Sequence, residues 1–215
     1  MPKTTLINFA AQHALPVSAK QADTLLKYAQ LVWQKKDLLN LTSVDSLDEI
    51  VTRHLCDGIM AAAQIARLAQ QRGIDAAQIA DAGAGAGYIG LVTAVLLPQA
   101  QVSLIESLEK RCAFMNWCIM QLGLSNVHVK KMRLGQGTKQ TYDFLTERAM
   151  GQLPDILEIC LQAVNPAGVF MPFQGENPQI SPEVLSAQAV LQEDILYALP
   201  ADNGPKRHLL VIAKK

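Results

Sequence analysis

Residues 78–90, QIADAGAGAGYIG, put four glycines directly behind a short apolar run. A floppy linker and a tight ligand-binding turn share that composition, and the flanking residues decide between them. AQIADAG has the length and character of a buried strand, and YIGLVTAVLL, closed by Pro98, reads as a helix. The glycines therefore form a strand-to-helix turn. In a parallel sheet the carboxyl end of the first strand opens onto the crevice where ligands bind. Gly83, Gly85 and Gly87 let the backbone turn sharply with its amides uncovered, and Gly90 lets the next helix approach the sheet.

The same alternation continues downstream. AQVSLIES, NVHVK, YDFLTER, GVFMPF, LQEDILYAL and RHLLVIAK read as strands, with LEKRCAFMNWCIMQLG (stopped by Gly123) and LPDILEICLQAV as helices between them. Pro166 and Gly168 mark a turn, and Ser181 with Pro182 opens a further helix. This order predicts an α/β fold: a mainly parallel seven-stranded sheet, helices on both faces, and an antiparallel pair at its close. Upstream, SAKQADTLLKYAQLVWQKKDLL carries Leu25, Leu26, Ala29, Val32 and Trp33 on one stripe, with a Ser18/Gln21 capping box. A second helix is expected from Ser46, with Glu49 in the matching position, to Gly73. Residues 1–73 thus read as an N-terminal helical extension, and 74–215 as one compact ligand-binding domain. Trp33 and Trp117 are expected in the core.

Composition narrows the function. Lys+Arg and Asp+Glu both number 19, so binding of nucleic acid by bulk positive charge is not expected, although a local basic face is allowed. Cys56, Cys112, Cys118 and Cys160 show no C-x-x-C pairing, which argues against a metal site and for free, buried thiols. MPKTTLINFAAQH has no apolar signal core, and the longest apolar run is too short to span a bilayer. A soluble, cytoplasmic monomer is expected, without a membrane partner.

Glu106, at the end of the second strand and roughly twenty residues past the glycines, is placed to accept from a ribose diol. Two ligands then compete. Residues 85–90 match the G-x-G-x-x-G of dinucleotide sites, whereas Asp81 suits a ligand with a cationic amino group and no pyrophosphate. Asp81 alternatively caps the turn. D-x-G-x-G-x-G over 81–87 resembles the first motif of class I (Rossmann-like) methyltransferases, which implies S-adenosylmethionine. The segment after the fourth strand, TERAMG, lacks the N-P-P-Y-like tetrapeptide of amino methyltransferases. No cysteine has the electropositive setting that a C5-methylating nucleophile needs.

The combination NLTS, EIVTRHLCDGI, DAGAGAGYIG, LIESLEKRCAF, YDFLTERA, PFQGENP and RHLLVIAK resembles the RsmG (GidB) family across nearly the whole chain. That resemblance implies methylation of guanine N7 in 16S ribosomal RNA, as free RNA or within the small ribosomal subunit. It implies Asp81, Gly83, Gly85, Gly87, Glu106, Ser107 and Arg148 around the cofactor, and Arg148, Arg133, Arg53 and His54 around the RNA. Each basic residue also has a plain structural reading. Arg148 would pair with Glu147 or Asp143, Arg53 with Asp57 one turn on, and Lys110 and Arg111 would be a solvated face. Lys130, Lys131 and Arg133 form the densest basic patch, and Arg207 with His208 would extend the RNA surface. The chain departs from the family's usual residues at Ile89, Gly135, Glu147 and Gln174. A methyltransferase-like binding module without turnover and a nicotinamide-dependent oxidoreductase stay open as alternatives.

Overall fold

The computed structural model describes residues 2–136, 140–178, 185, 188–200 and 206–215. Four α-helical segments precede the sheet: α1 (Pro2–Gln12), α2 (Ala19–Leu39), the single turn α3 (Leu47–Glu49) and α4 (Cys56–Arg72). The strands are β1 (Gln78–Ala82), β2 (Gln101–Glu106), β3 (Val127–Lys131), β4 (Tyr142–Glu147), β5 (Val164–Gln174), β6 (Ala189–Tyr197) and β7 (Arg207–Lys214). Helices α5 (Gly90–Leu96), α6 (Glu109–Leu122) and α7 (Leu153–Gln162) connect them. The strands form one sheet in the order β3-β2-β1-β4-β5-β7-β6. Pairs up to β4–β5 are parallel, and β7 runs antiparallel to both β5 and β6. Strand order reverses between β1 and β4, so their carboxyl ends flank the crevice that binds ligands in such sheets.

One face of the sheet packs Ile79, Leu104 and Phe144 against α5, α6 and the N-terminal helices, with Leu6, Leu25, Tyr28 and Ile59 in the same apolar cluster. The other face packs Leu145, Phe170 and Leu210 against Leu157 and Leu161 of α7. The Ser18/Gln21 capping box forms as expected. Gly73 and Gly123 end α4 and α6 in the left-handed conformation. All four cysteines are free and buried, and among the described residues no helix is long and apolar enough to cross a membrane.

Three expectations need correction. Trp33 is 38% exposed. The buried stripe of α2 runs through Ala22, Leu25, Ala29 and Val32, and Trp33 sits one residue off it with the Lys36 ammonium 5.0 Å from its ring centre. Trp117 is only half-buried, against the first core. The helix expected from Ser46 is interrupted: after α3, residues Ile50–Leu55 form a π-helical turn before α4. Ser46 accepts from the Glu49 amide at 3.1 Å, while the Glu49 carboxylate caps Asp45 N at 3.0 Å. The Pro166–Gly168 turn is an irregularity within β5, where the β4–β5 register shifts between Tyr142 and Phe144. The helix expected from Ser181 and Pro182 lies outside the described residues.

Candidate active site at the glycine turn

The turn after β1 holds Gly83, Gly85 and Gly87 at φ +65°, +61° and +90°. At Gly85 an added Cβ would meet only the Gly83 carbonyl oxygen, 3.8 Å away, so this stretch of backbone faces open space. Gly90 is the opposite case: a Cβ there would sit 2.1 Å from Leu104 Cδ2, so only glycine lets α5 close onto β2.

Asp81 is buried between these points. One carboxylate oxygen accepts from the Gly90 amide at 2.9 Å and the other from the Thr146 hydroxyl at 3.3 Å. Burial raises its carboxyl to about 6, against the opposing pull of the Gly90 amide and the Arg148 charge. Here Asp81 ties the strand end to the helix start. Glu106 accepts from the amides of Ser107 (2.7 Å) and Leu108 (2.8 Å) with one oxygen and from Gly85 N (3.1 Å) with the other. The Arg111 guanidinium stands 3.7 Å away, so it is not a purely solvated cation, whereas Lys110 is exposed.

Beside the turn lies a cavity of about 410 Å³, walled by Gly83, Glu106, Ser107, Arg133, Met150 and Ile159. That volume is in the range of sites for cofactor-sized molecules. The open backbone, the carboxylate at the β2 end and the cavity fit a nucleoside cofactor. The Met150 side chain closes the Gly83 end, 3.2 Å from where a Gly83 Cβ would lie. It is folded there by Ala149, left-handed at φ +67°, and by the Met150 amide donating to Glu147. Glu147 is buried, and burial with the neighbouring Asp81 charge raises it to about 7. Gly135, at φ +84°, has a physical reason: a Cβ would lie 2.4 Å from Ile159 Cδ1.

Across the turn a second group converges. Arg148, just past β4, pairs with neither Glu147 nor Asp143. Its Nη1 donates to Asp57 Oδ2 at 2.7 Å and faces His54 Nδ1 at 3.2 Å. Its guanidinium lies 5.3 Å from the Tyr88 ring centre. Asp143 instead accepts from Gln78 N and Asn165. Arg207 Nη1 reaches the same Asp57 oxygen at 2.5 Å, and the Tyr197 hydroxyl donates to the other at 2.7 Å. His54 stacks on Tyr88 at 4.2 Å. Burial, then the Arg148, Arg207 and Arg53 charges, lower its pKa to about 3. The imidazole is therefore neutral. Its Nδ1 accepts from Arg148, which leaves the proton on Nε2 to donate to Thr42 Oγ1 at 2.7 Å.

The structure thus joins Arg148, His54 and Arg207 at one point and sets the other site residues elsewhere. Arg133 lines the cavity. Lys130 donates to Tyr142 and Lys131 to Glu109, so the patch around Arg133 is largely paired. Arg53 faces Glu49 at 3.5 Å, not Asp57: its side chain is half-exposed, whereas Asp57 is fully buried with its oxygens taken by Arg148, Arg207 and Tyr197. His208 pairs with Asp194, not with the site. Gln174 donates to the carbonyl of Phe173. Tyr88 and Tyr197 belong to the cluster but were not singled out from sequence. Tyr88 could have been found inside the glycine motif, whereas Tyr197 carries no sequence signal.

A family model described as rRNA small subunit methyltransferase G (GidB) matches residues 21–210. The chain belongs to this family. The matched residues include both the glycine turn and every member of the arginine cluster. Curated relatives named "Ribosomal RNA small subunit methyltransferase G" include one from Lactiplantibacillus plantarum, 30% identical over 95% of this chain and 86% of its own length. Another, from Cupriavidus necator, is 29% identical over 95% of this chain and 91% of its own. Among solved structures, TrmN from Thermus thermophilus aligns with 77% of this chain and 53% of its own at TM-score 0.59 and 18% identity. The B. subtilis tRNA methyltransferase TrmK aligns with 75% and 66% at TM-score 0.55 and 20% identity. These two likenesses establish the fold, that of class I methyltransferases. GidB membership sets the nicotinamide reading of the glycine turn aside.

Proposed function

We propose that this protein transfers the methyl group of S-adenosylmethionine to N7 of a guanine in 16S ribosomal RNA. The observation that carries the reading is the meeting, at the β1/β4 switch point, of an open glycine turn and a cavity on one side with an arginine cluster on the other. When bound, the cofactor supplies an electrophilic methyl group on a sulfonium. Glu106 and Ser107 hold its ribose, the turn at Gly83, Gly85 and Gly87 takes its amino-acid end, and Asp81 and Arg148 border that end. Guanine N7 has an in-plane lone pair and needs no general base, so catalysis reduces to alignment and exclusion of water. A neutral, doubly hydrogen-bonded His54 suits that chemistry: it orients Arg148 and moves no proton. Arg148 grips the guanine O6 or a flanking phosphate, since N7 itself must stay free. Arg133, from the cavity wall, and the half-exposed Arg53 add positive charge on the RNA side.

The division at residue 73 belongs to the same proposal: the helical extension lends His54 and Asp57 to a site otherwise built by residues 74–215. The protein acts as a cytoplasmic monomer. Its balanced charge and the buried Glu147 favour the small ribosomal subunit over free RNA, because few phosphate contacts are on offer. Calorimetry should show S-adenosylmethionine binding that Glu106→Ala weakens at least about tenfold, the worth of one charge-assisted hydrogen bond. Mapping N7 methylation on ribosomal RNA from a strain lacking it, with and without the protein, decides the reaction. Cofactor binding with no methyl transfer would leave the binding-module reading in its place.

A further inference from the structure

Asp57 is fully buried, yet three elements send donors to it: Arg148 beyond β4, Arg207 on β7 and Tyr197 on β6. Both guanidiniums meet the same oxygen, so they are neighbours. One carboxylate answers two cations, and neither arginine has another acidic partner among the described residues. Taken by itself, the trio of Asp57, Arg148 and Arg207 carries one surplus positive charge, with Asp81 and Glu147 the further carboxylates that feel Arg148. Each arginine commits only Nη1. Among the described residues the rest of each fork has no acceptor, and the side chains are 21% and 27% exposed. A purely structural ion pair would match its charges and turn its donors inward. Here two forks held side by side keep free donors at the surface, beside Tyr88 of the glycine turn. An anion with several oxygens satisfies both forks and cancels the surplus charge. A base carbonyl, with one oxygen and a partial charge, does not.

We propose that Arg148 and Arg207 form a paired phosphodiester site for the RNA strand bearing the target guanine, and that Asp57 is the positioning residue that holds the pair together. The inference rests on the ribosomal RNA reading above and adds the ligand group and two residues to it.

The test uses small ribosomal subunits from a strain lacking the methyl group. Filter binding across a salt series should give a plot of log K against log salt whose slope falls in Arg207→Gln by about 0.7, the share of one single-strand phosphate contact. Arg207→Lys, which keeps the charge, should recover most of that slope. Calorimetric affinity for S-adenosylmethionine should be unchanged in both variants. Asp57→Asn should lower kcat at least about tenfold without raising KM for the subunit, because removing a negative charge does not weaken phosphate attraction but releases the orientation of the guanidiniums. A wild-type protein that methylates the subunit, with the same salt slope in Arg207→Gln, overturns this inference alone. A wild-type protein that neither binds nor methylates the subunit overturns the functional reading and this inference with it. If Asp57→Asn fails to fold, the two Arg207 variants still decide.

Discussion

The two walls of the crevice are built by different physics. The donor wall, from Asp81 to Gly90 with Glu106, is built mostly within one stretch: backbone amides, glycine dihedrals and carboxylates 1, 9 and 21 positions from the amides they accept from. The acceptor wall is assembled at long range, with Asp57 joined to residues 91, 140 and 150 positions away. The donor wall has no room for an added atom at Gly90. The acceptor wall depends on one buried carboxylate that holds both guanidiniums.

That contrast can be broken by substitution. The largest effect is expected at Asp57→Ala, which leaves two guanidiniums facing each other without a carboxylate. About 3–5 kcal/mol should be lost in denaturant melts. Gly90→Ala should cost about 1–3 kcal/mol by overpacking against Leu104, and should abolish cofactor binding because Asp81 and the turn shift with the helix. An intact affinity for S-adenosylmethionine in Gly90→Ala would show that the donor wall is more plastic than its distances suggest.

The walls should also respond to pH with opposite signs. Glu147 rises from 4.5 to about 7 on folding, so its stabilising proton is fully present below 4.5 and stability falls as pH climbs through 7. Asp81 acts the same way up to about 6. His54 falls from 6.5 to about 3, so its contribution is present above 6.5 and is lost as pH drops toward 3. Melting temperatures of Glu147→Gln between pH 5 and 8 should lose a downward trend worth roughly 1–3 kcal/mol. His54→Gln should lose the acid-side decline. Identical profiles in wild type and both variants would refute the assigned environments. The smallest effect belongs to Arg53→Gln, whose half-exposed pair with Glu49 should change stability by less than about 0.5 kcal/mol.

The donor wall was readable in the sequence because its chemistry is contiguous: strand, glycines, helix and acid occur in order, and each expected strand formed. The acceptor wall was only half readable. His54, Arg148 and Arg207 came from motifs, but the carboxylate that gathers them was read as an ordinary helix-surface partner for Arg53. The reason is that Asp57 is buried and its partners lie 91 to 150 positions away, which no local spacing announces. Tyr197 alternates along β6 like any strand residue, and nothing distinguishes it until the sheet closes. Gly135 departs from the family's usual residue, and its left-handed backbone at φ +84° with Ile159 close by favours glycine there.

The bond between Asp57 and Arg207 also orders events in time. Synthesis delivers the carboxylate 150 residues before its second guanidinium. Until β7 emerges, Asp57 can pair with the Arg148 guanidinium alone, and β7 then adds the second one. A nascent molecule whose turn after β1 has closed still lacks the second guanidinium of the cluster.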